Sequence, residues 1–400
     1  MIVTFLGGVG EYGRSCFLLE VNKQKILIDC GVLKSGRTVQ EQYPLLTPEL
    51  ASEVKAVFLT HAHEDHTGAL PYLVHLGFTG EVYATAETIK QTRFYLRTWR
   101  ETQLVSGRKL PYTLEDEVSL SFRTLDEWKG GLIPGLTFDH GRSGHIIGSV
   151  WFLFQYNQET VYFSGDFSME SLLLQFDFPA SNTVVDFAVM DGAYGMEKHT
   201  QHEYCEQIVY KVKQAEKENA SIIFPLPPYG RAQDLLFLLK SVFVESSFSI
   251  MVDERILEAT ETYLKAESWF KPDVFTSYKS WMNYLKENKT NERTSPFIAF
   301  YSETHLLKNT WWLEDEGNIL FVFTGPKNKK LIKKITEKQK GTVSMEELRY
   351  KVHPAAYETE KLLHRIKPKH TALTHSLVER SGPLAKEISI RTGLDVGVPV

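Results

Sequence analysis

The sequence predicts an α/β protein in which a β-rich domain is interrupted by a parallel α/β unit, and three observations carry that prediction. Residues 1–29 read as strands, and short β segments dominate again from Val118 to Val189. After Asp191 strands and helices alternate, the pattern of a parallel sheet with crossover helices. From residue 342 the chain returns to histidine-bearing loops. The divisions fall at 1–197, 198–341 and 342–400, the outer two being parts of one domain.

The elements follow in order. Ile2–Leu6, Ser15–Glu20 and Lys25–Asp29 read as strands, the first two parted by Gly7-Gly8-Val9-Gly10. Val54–Thr60 is another strand, Thr67–Leu76 has helical spacing, and Thr85 opens a helix to Thr102. Val150–Phe154 and Thr160–Ser164 are strands. Thr200-Gln201-His202-Glu203 fits a capping box that starts a helix to about Asn219. A strand at Ser221–Phe224, a helix from Arg231 to Val242, a strand at Phe248–Val252, a helix from Glu254 and a strand at Ile319–Thr324 continue the alternation. A helix near Ala355–Ile366 and a strand at Thr371–Thr374 close the pattern.

Composition bounds the function classes. Across 400 residues, 45 Lys and Arg stand against 50 Asp and Glu, so a wholly basic nucleic-acid coat is excluded while a local basic patch is not. Cys16, Cys30 and Cys205 lack metal-site spacing and read as reduced, packed thiols. Met1–Leu6 has no basic leader and looks like a first strand, and no apolar run is long enough for a bilayer. A cytoplasmic enzyme with no membrane partner is the expectation.

The densest chemistry lies in His61-Ala62-His63-Glu64-Asp65-His66, where a strand gives way to a loop. Three imidazoles and two carboxylates in six residues suit a divalent cation such as Zn²⁺ or Mn²⁺. The competing reading is a polar loop with surface histidines. His145, in Gly144-His145-Ile146-Ile147-Gly148-Ser149, and Asp166, in Ser164-Gly165-Asp166, stand at further strand ends and can converge on the same place. A carboxylate between two cations can bridge them, which suits Asp166.

With Asp29, this set resembles the metallo-β-lactamase superfamily, and the later residues resemble its β-CASP branch, which includes ribonuclease J and the cleavage and polyadenylation endonuclease. Asp191 in Met190-Asp191-Gly192-Ala193-Tyr194-Gly195 matches motif A of that branch. Pro225-Leu226-Pro227-Pro228-Tyr229-Gly230-Arg231-Ala232-Gln233 matches its strand-to-helix segment, and Phe323-Thr324-Gly325 the strand closing the inserted domain. His353 and His375 match motifs B and C, and Lys367-Pro368-Lys369-His370 ends the helix between them.

The resemblance implies a four-layer αββα sandwich (1–197 and 342–400) with an inserted β-CASP domain (198–341) closing one side of a cleft. It implies one metal on His61, His63, His145 and Asp166, and a second on Asp65, His66, Asp166 and His375. Asp29 would orient a ligand histidine by a hydrogen bond. Two divalent ions about 3.5–4 Å apart can activate a water and clamp a phosphodiester. Asp65, Asp191 and His353 would carry catalysis, with His353, oriented by Asp191, as the acid that protonates the leaving oxygen. RNA is the implied partner, because a histidine at motif C accompanies RNA processing. A homodimer is compatible with this reading.

Two departures stand out. Motif B reads Tyr350-Lys351-Val352-His353, without the family's serine, and His375 is followed by Ser376-Leu377 in place of Gly-Glu. Ribonuclease J's grip for a terminal 5′-phosphate has no counterpart, so exonuclease action that depends on that phosphate is not expected. Arg231 opens a helix where backbone N–H groups can meet a phosphate, as an alternative to plain helix-start chemistry. Lys327, Lys329, Lys330, Lys333, Lys334, Lys338 and Lys340 form either a phosphate-tracking strip or a solvated helix face. Ending at Val400 soon after motif C, the chain is expected to bind substrate mostly through the cleft itself. The rival functions are a small-molecule hydrolase of the same fold, such as a lactonase or thioesterase, and a non-catalytic nucleic-acid-binding subunit.

Overall fold

A computed structural model describes residues 1–180, 183–246, 248–289, 296–337 and 340–399, so Lys338 of the basic run lies outside the described residues. The chain forms two compact units, residues 1–169, 176–198 and 353–400 in the first and residues 170–175 and 199–352 in the second.

The first unit holds two six-stranded sheets. One runs in sequence order through β1 (Ile2–Gly7), β2 (Cys16–Val21), β3 (Gln24–Ile28), β4 (Val54–Phe58), β5 (Glu81–Ala84) and β6 (Phe122–Thr124). The other begins with β7 (Thr137–Arg142), β8 (Val150–Tyr156), β9 (Glu159–Phe163) and β10 (Phe187–Asp191). In the second unit β11 (Ser221–Leu226), β12 (Ser249–Val252), β13 (Phe297–Ser302), β14 (Asn318–Phe323) and β15 (Thr342–Glu347) make a sheet ordered β12-β13-β11-β14-β15, parallel at every pairing. Back in the first unit, β16 (His370–Thr374) and β17 (Asp395–Gly397) join parallel beside β10 and complete its second sheet.

The first unit is the expected αββα sandwich. Strand alternation sends Phe58 inward, where its ring meets Phe138, Phe152 and Phe154 of the facing sheet at 5.2–5.8 Å. Its neighbours Val57 and Leu59 point the other way, into a core with Leu70, Leu73, Leu96 and Trp99 from the helices Leu70–His75 and Ala86–Val105. On the opposite outer face Leu362, Leu363, Ile366, Leu384 and Ile388 from the helices Ala356–Ile366 and Val378–Thr392 pack with Tyr162, Ala188 and Leu373.

Local chemistry explains most boundaries. Thr85 caps the helix Ala86–Val105 by accepting from the Thr88 N–H, and Thr200 with Glu203 forms the expected capping box of the helix Gln201–Lys217. Two expected helices differ in extent. The one expected over 67–76 starts only at Leu70, because Pro71 lacks an N–H and belongs in a first turn, and a separate short helix covers Glu64–Thr67. Residues 231–242 divide at Leu239 into Arg231–Leu238 and Lys240–Glu245. The helix Val378–Thr392 was not among the expected elements; Gly382 and Pro383 sit inside it and Gly393 ends it. The expected division at 341/342 falls just before β15, which pairs along its length with β14, so the second unit runs on to Val352. Among the described residues no helix is long and apolar enough to cross a membrane.

Candidate metal centre

The functional side chains of the first unit sit beyond the C-terminal ends of strands, where parallel pairing brings neighbouring ends together. Asp29 follows β3, the His61 loop follows β4, Asp166 follows β9, Asp191 ends β10 and His375 follows β16. The pairs β3/β4, β9/β10 and β10/β16 are parallel, and Asp191 lies opposite Thr374. The loop is pinned by its backbone: the Ser15 N–H donates to Asp65 O at 2.9 Å and the Cys30 N–H to His66 O at 2.7 Å. Gly31 permits that approach, since a Cβ there would lie 1.7 Å from Asp65 O.

One atom from each of His61, His63, His145 and Asp166 lies within 4.8 Å of all the others, as do atoms of Asp65, His66 and His375. His63 Nδ1 stands 3.2 Å from both His61 Nε2 and His145 Nε2. Nitrogens held about 2.0–2.1 Å from one tetrahedral cation are themselves roughly 3.3 Å apart, so this spacing is that of a ligand set. Asp166 divides its carboxylate between the two groups. Its Oδ2 is 3.5 and 3.6 Å from His61 and His145, and its Oδ1 is 3.3 and 3.8 Å from His66 Nε2 and His375 Nδ1. The residues therefore fit divalent cations, and a buried atom marks the need: His375 Nδ1 has no hydrogen-bond partner among the described residues.

The electrostatics separate the two groups. Burial, reinforced by neighbouring histidines, holds His61 and His63 well below the ordinary imidazole pKa, which leaves lone pairs available to a cation. Burial would raise Asp166, but His375, His66, His353 and His61 outweigh it and keep the carboxyl well below its usual range. Asp65 is likewise held low, against burial, by Lys34, His66 and His375. His66 goes the other way: burial is overcome by Asp166 and Asp29, which raise it well above its ordinary value. Asp29, wholly buried, lies 2.7 Å from His66 Nδ1 and accepts from the Thr60 N–H and hydroxyl at the same distance, so it orients that ring.

His353 and Asp191 adjoin the cluster. The His353 Nδ1 donates to Asp191 Oδ2 at 2.8 Å, and its ring stacks on His375 with centroids 5.2 Å apart. Burial lowers the His353 pKa, yet Asp191 and Asp166 more than offset it and the ring is raised. Asp191 is in turn fixed by the Ala193 N–H at 2.8 Å. Thus Asp29, His61, His63, Asp65, His66, His145, Asp166, Asp191, His353 and His375 are all gathered in the first unit. Arg231 is not among them; it belongs to the second unit, where its guanidinium occupies the space a Cβ at Gly325 would need.

Sequence reasoning passed over two contributors. Thr60 hydrogen-bonds Asp29 from two residues past the end of β4, and a lone threonine there carries no signal. Tyr194, whose ring meets His353 edge-on at 5.2 Å, was visible only as an aromatic three residues after Asp191.

A four-layer sandwich with a His/Asp cluster at its strand ends defines a metal-binding class of α/β protein, and comparison with known proteins agrees. The family model of the metallo-beta-lactamase superfamily matches residues 9–225, and this chain belongs to that superfamily. Similar proteins include transcription termination factor FttA of Methanothermobacter thermautotrophicus, 29% identical over 81% of this chain and 51% of that protein. Probable RNase MJ4 of Methanocaldococcus jannaschii is 26% identical over 83% of this chain and 78% of its own length. Cleavage and polyadenylation specificity factor 73 of Drosophila melanogaster is 26% identical over 65% of this chain and 40% of that one. These relatives are members of the β-CASP branch. The chain spans about half the length of the FttA protein it matches. A crystal structure of a protein of unknown function from Enterococcus faecalis shares the fold, with a TM-score of 0.62 at 14% identity over 100% of this chain and 97% of that one.

Proposed function

We propose that this chain is a metal-dependent phosphodiesterase that cleaves RNA, and that it uses two divalent cations, Zn²⁺ or Mn²⁺. The observation that carries the proposal is the split carboxylate of Asp166, one oxygen turned to each group of ligands. His61, His63, His145 and Asp166 would hold one cation, and Asp65, His66, Asp166 and His375 the other. Bound there, the cations would supply a nucleophilic water and neutralise charge on the phosphodiester. The relatives named for RNase and for cleavage and polyadenylation support RNA as substrate.

The chain's own groups do the rest. Asp191 and Asp166 favour the charged form of His353 and raise its pKa, which suits a group that gives up a proton. With Nδ1 committed to Asp191, Nε2 is the nitrogen that delivers a proton to the leaving oxygen. Asp191 keeps the ring in that tautomer, and Asp29 does the same for His66. A second reading has His353 as a ligand, since it also groups with Asp166 and His375. The two groups on either side of Asp166 already supply a ligand set for each cation without His353, which favours the acid.

The test is cleavage of 5′-labelled single-stranded RNA by protein loaded with Mn²⁺ or Zn²⁺, beside an Asp166→Ala control. Metal-dependent cleavage lost in the control is expected, and fragment lengths then distinguish internal cutting from end trimming. No cleavage by protein shown to contain metal would overturn the RNA reading in favour of a small-molecule hydrolase. On the same reading the protein works in the cytoplasm, as a monomer or a homodimer.

A further inference from the structure

The motif B departure places a lysine two residues before His353, and the structure shows what that lysine does. The Lys351 side chain is wholly buried (0% exposed), and its Nζ lies 2.5 Å from Glu170 Oε2. The same Glu170 oxygen accepts from the Gln201 N–H at 2.9 Å, and Gln201 Oε1 accepts from the Lys351 N–H at 2.9 Å. The triangle is closed, and each corner lies just inside the second unit, near a point where the chain crosses from one unit to the other: after Met169, after Lys198 and before His353. Two neighbours extend it. The Tyr350 N–H donates to Thr324 O at 3.0 Å, and Asp234 Oδ1 accepts from the Ser171 hydroxyl at 3.3 Å and the Leu172 N–H at 3.2 Å.

The first unit ties the same two strands of chain on its own side. Glu358, itself buried, accepts from the Met169 N–H at 2.8 Å through one oxygen and from the Ala355 N–H at 2.9 Å through the other. The segment leaving Asp166 and the segment entering His353 are thus joined twice, at 169/355 and at 170/351. Asp166 is three residues from the first tie and His353 lies between the two. With Lys351 buried and Glu170 only partly so, the pair is poor evidence for stability, and its value lies in holding the two segments in one register.

We propose that the Glu170–Lys351 ion pair is a positioning device for His353, setting the imidazole against Asp191 and the Asp166 side of the cluster. Lys351 touches no reacting atom; it acts through the Val352 peptide. The proposal rests on the reading of His353 as the acid that protonates the leaving oxygen. It makes Lys351 the residue that takes over, at this position, whatever a serine does in motif B elsewhere.

The test compares two substrates whose leaving groups differ in their need for a proton. RNA leaves as an alkoxide that must be protonated, whereas bis(p-nitrophenyl) phosphate leaves as a stable phenolate. Lys351→Met in the full-length, metal-loaded protein is expected to lower kcat on RNA about tenfold or more, the lower end of what general acid catalysis contributes or below it. Hydrolysis of the nitrophenyl ester and the metal content are expected to stay within about twofold of wild type, and Lys351→Arg to restore most of the RNA rate. Equal losses on both substrates would reduce Lys351 to a structural residue, and no loss on RNA would overturn the proposal outright. A second readout keeps it separate from the RNA reading. The His353 Nδ1 proton is followed by NMR in histidine-labelled protein, with circular dichroism confirming the fold of each variant. A hydrogen bond to Asp191 that weakens in Lys351→Met supports positioning even if wild type cuts no RNA. An unchanged signal in the folded variant contradicts it.

Discussion

The two units differ in where they keep their charge. In the first, strand ends carry buried His and Asp side chains that pair with one another, from Asp29 and His66 to Asp166 and His375. In the second, β11 and β13 are buried at every residue, and the densest positive charge lies on the surface helix Lys329–Thr336. Desolvated charges are strong and specific, whereas solvated ones are screened. The first region should therefore govern chemistry, and the lysine helix of the second, at most, the strength of binding.

The comparison breaks most sharply at Asp166. Asp166→Ala removes the carboxylate shared by both ligand groups, and RNA cleavage is expected to fall by at least about a thousandfold, with metal content by elemental analysis falling too. His353→Ala should lower cleavage by about a hundredfold to ten-thousandfold while leaving bound metal unchanged, as single-turnover rates and elemental analysis would show. Loss of metal together with rate would make His353 a ligand instead. Asp29→Ala strands a buried imidazole, a hydroxyl and an N–H, and should cost about 3–5 kcal/mol by denaturant unfolding.

A pH profile sharpens the same contrast. The raised His353 pKa extends its acid form to higher pH than an ordinary imidazole, and that form is lost as pH rises through the raised value. Asp191→Asn removes the nearer negative charge, so the alkaline fall in cleavage rate should move to lower pH. An unmoved alkaline limb would assign it to another group. The smallest effect belongs to the lysine helix of the second unit. Lys330→Glu with Lys333→Glu should leave the rate at saturating RNA within about twofold while weakening binding. If both residues contact phosphate, the salt dependence of RNA affinity should flatten by about 0.7 in log–log slope per contact.

Much of the site was legible because metal ligands must be particular residue types at strand ends. His61, His63, His66, His145 and Asp166 declare themselves that way, and the structure gathers them. The β-CASP motifs added Asp191, His353 and His375, which lie far along the chain from the loop and meet it only through parallel pairing of β10 and β16. What stayed hidden depends on three-dimensional neighbours that no local pattern specifies. Thr60 looks like any strand threonine, and Lys351 looked only like a missing serine until Glu170 and Gln201 were found around it. In the fold, alternation and capping located most strands and the two longest helices, Ala86–Val105 and Gln201–Lys217. Proline marks both differences: Pro71 sits in the first turn of a helix that starts later than expected, and Pro383 sits inside one that was not expected. β15 escaped because its largely exposed residues give no apolar run, and only pairing with β14 defines it.

The measurement that bears most directly on the central claim is a titration of metal-free protein with Mn²⁺, followed by electron paramagnetic resonance and by RNA cleavage in the same samples. Two ions sharing Asp166 would be magnetically coupled, and cleavage should rise only as the second equivalent binds. A full rate at one equivalent, or two ions with no coupling between them, would contradict the account.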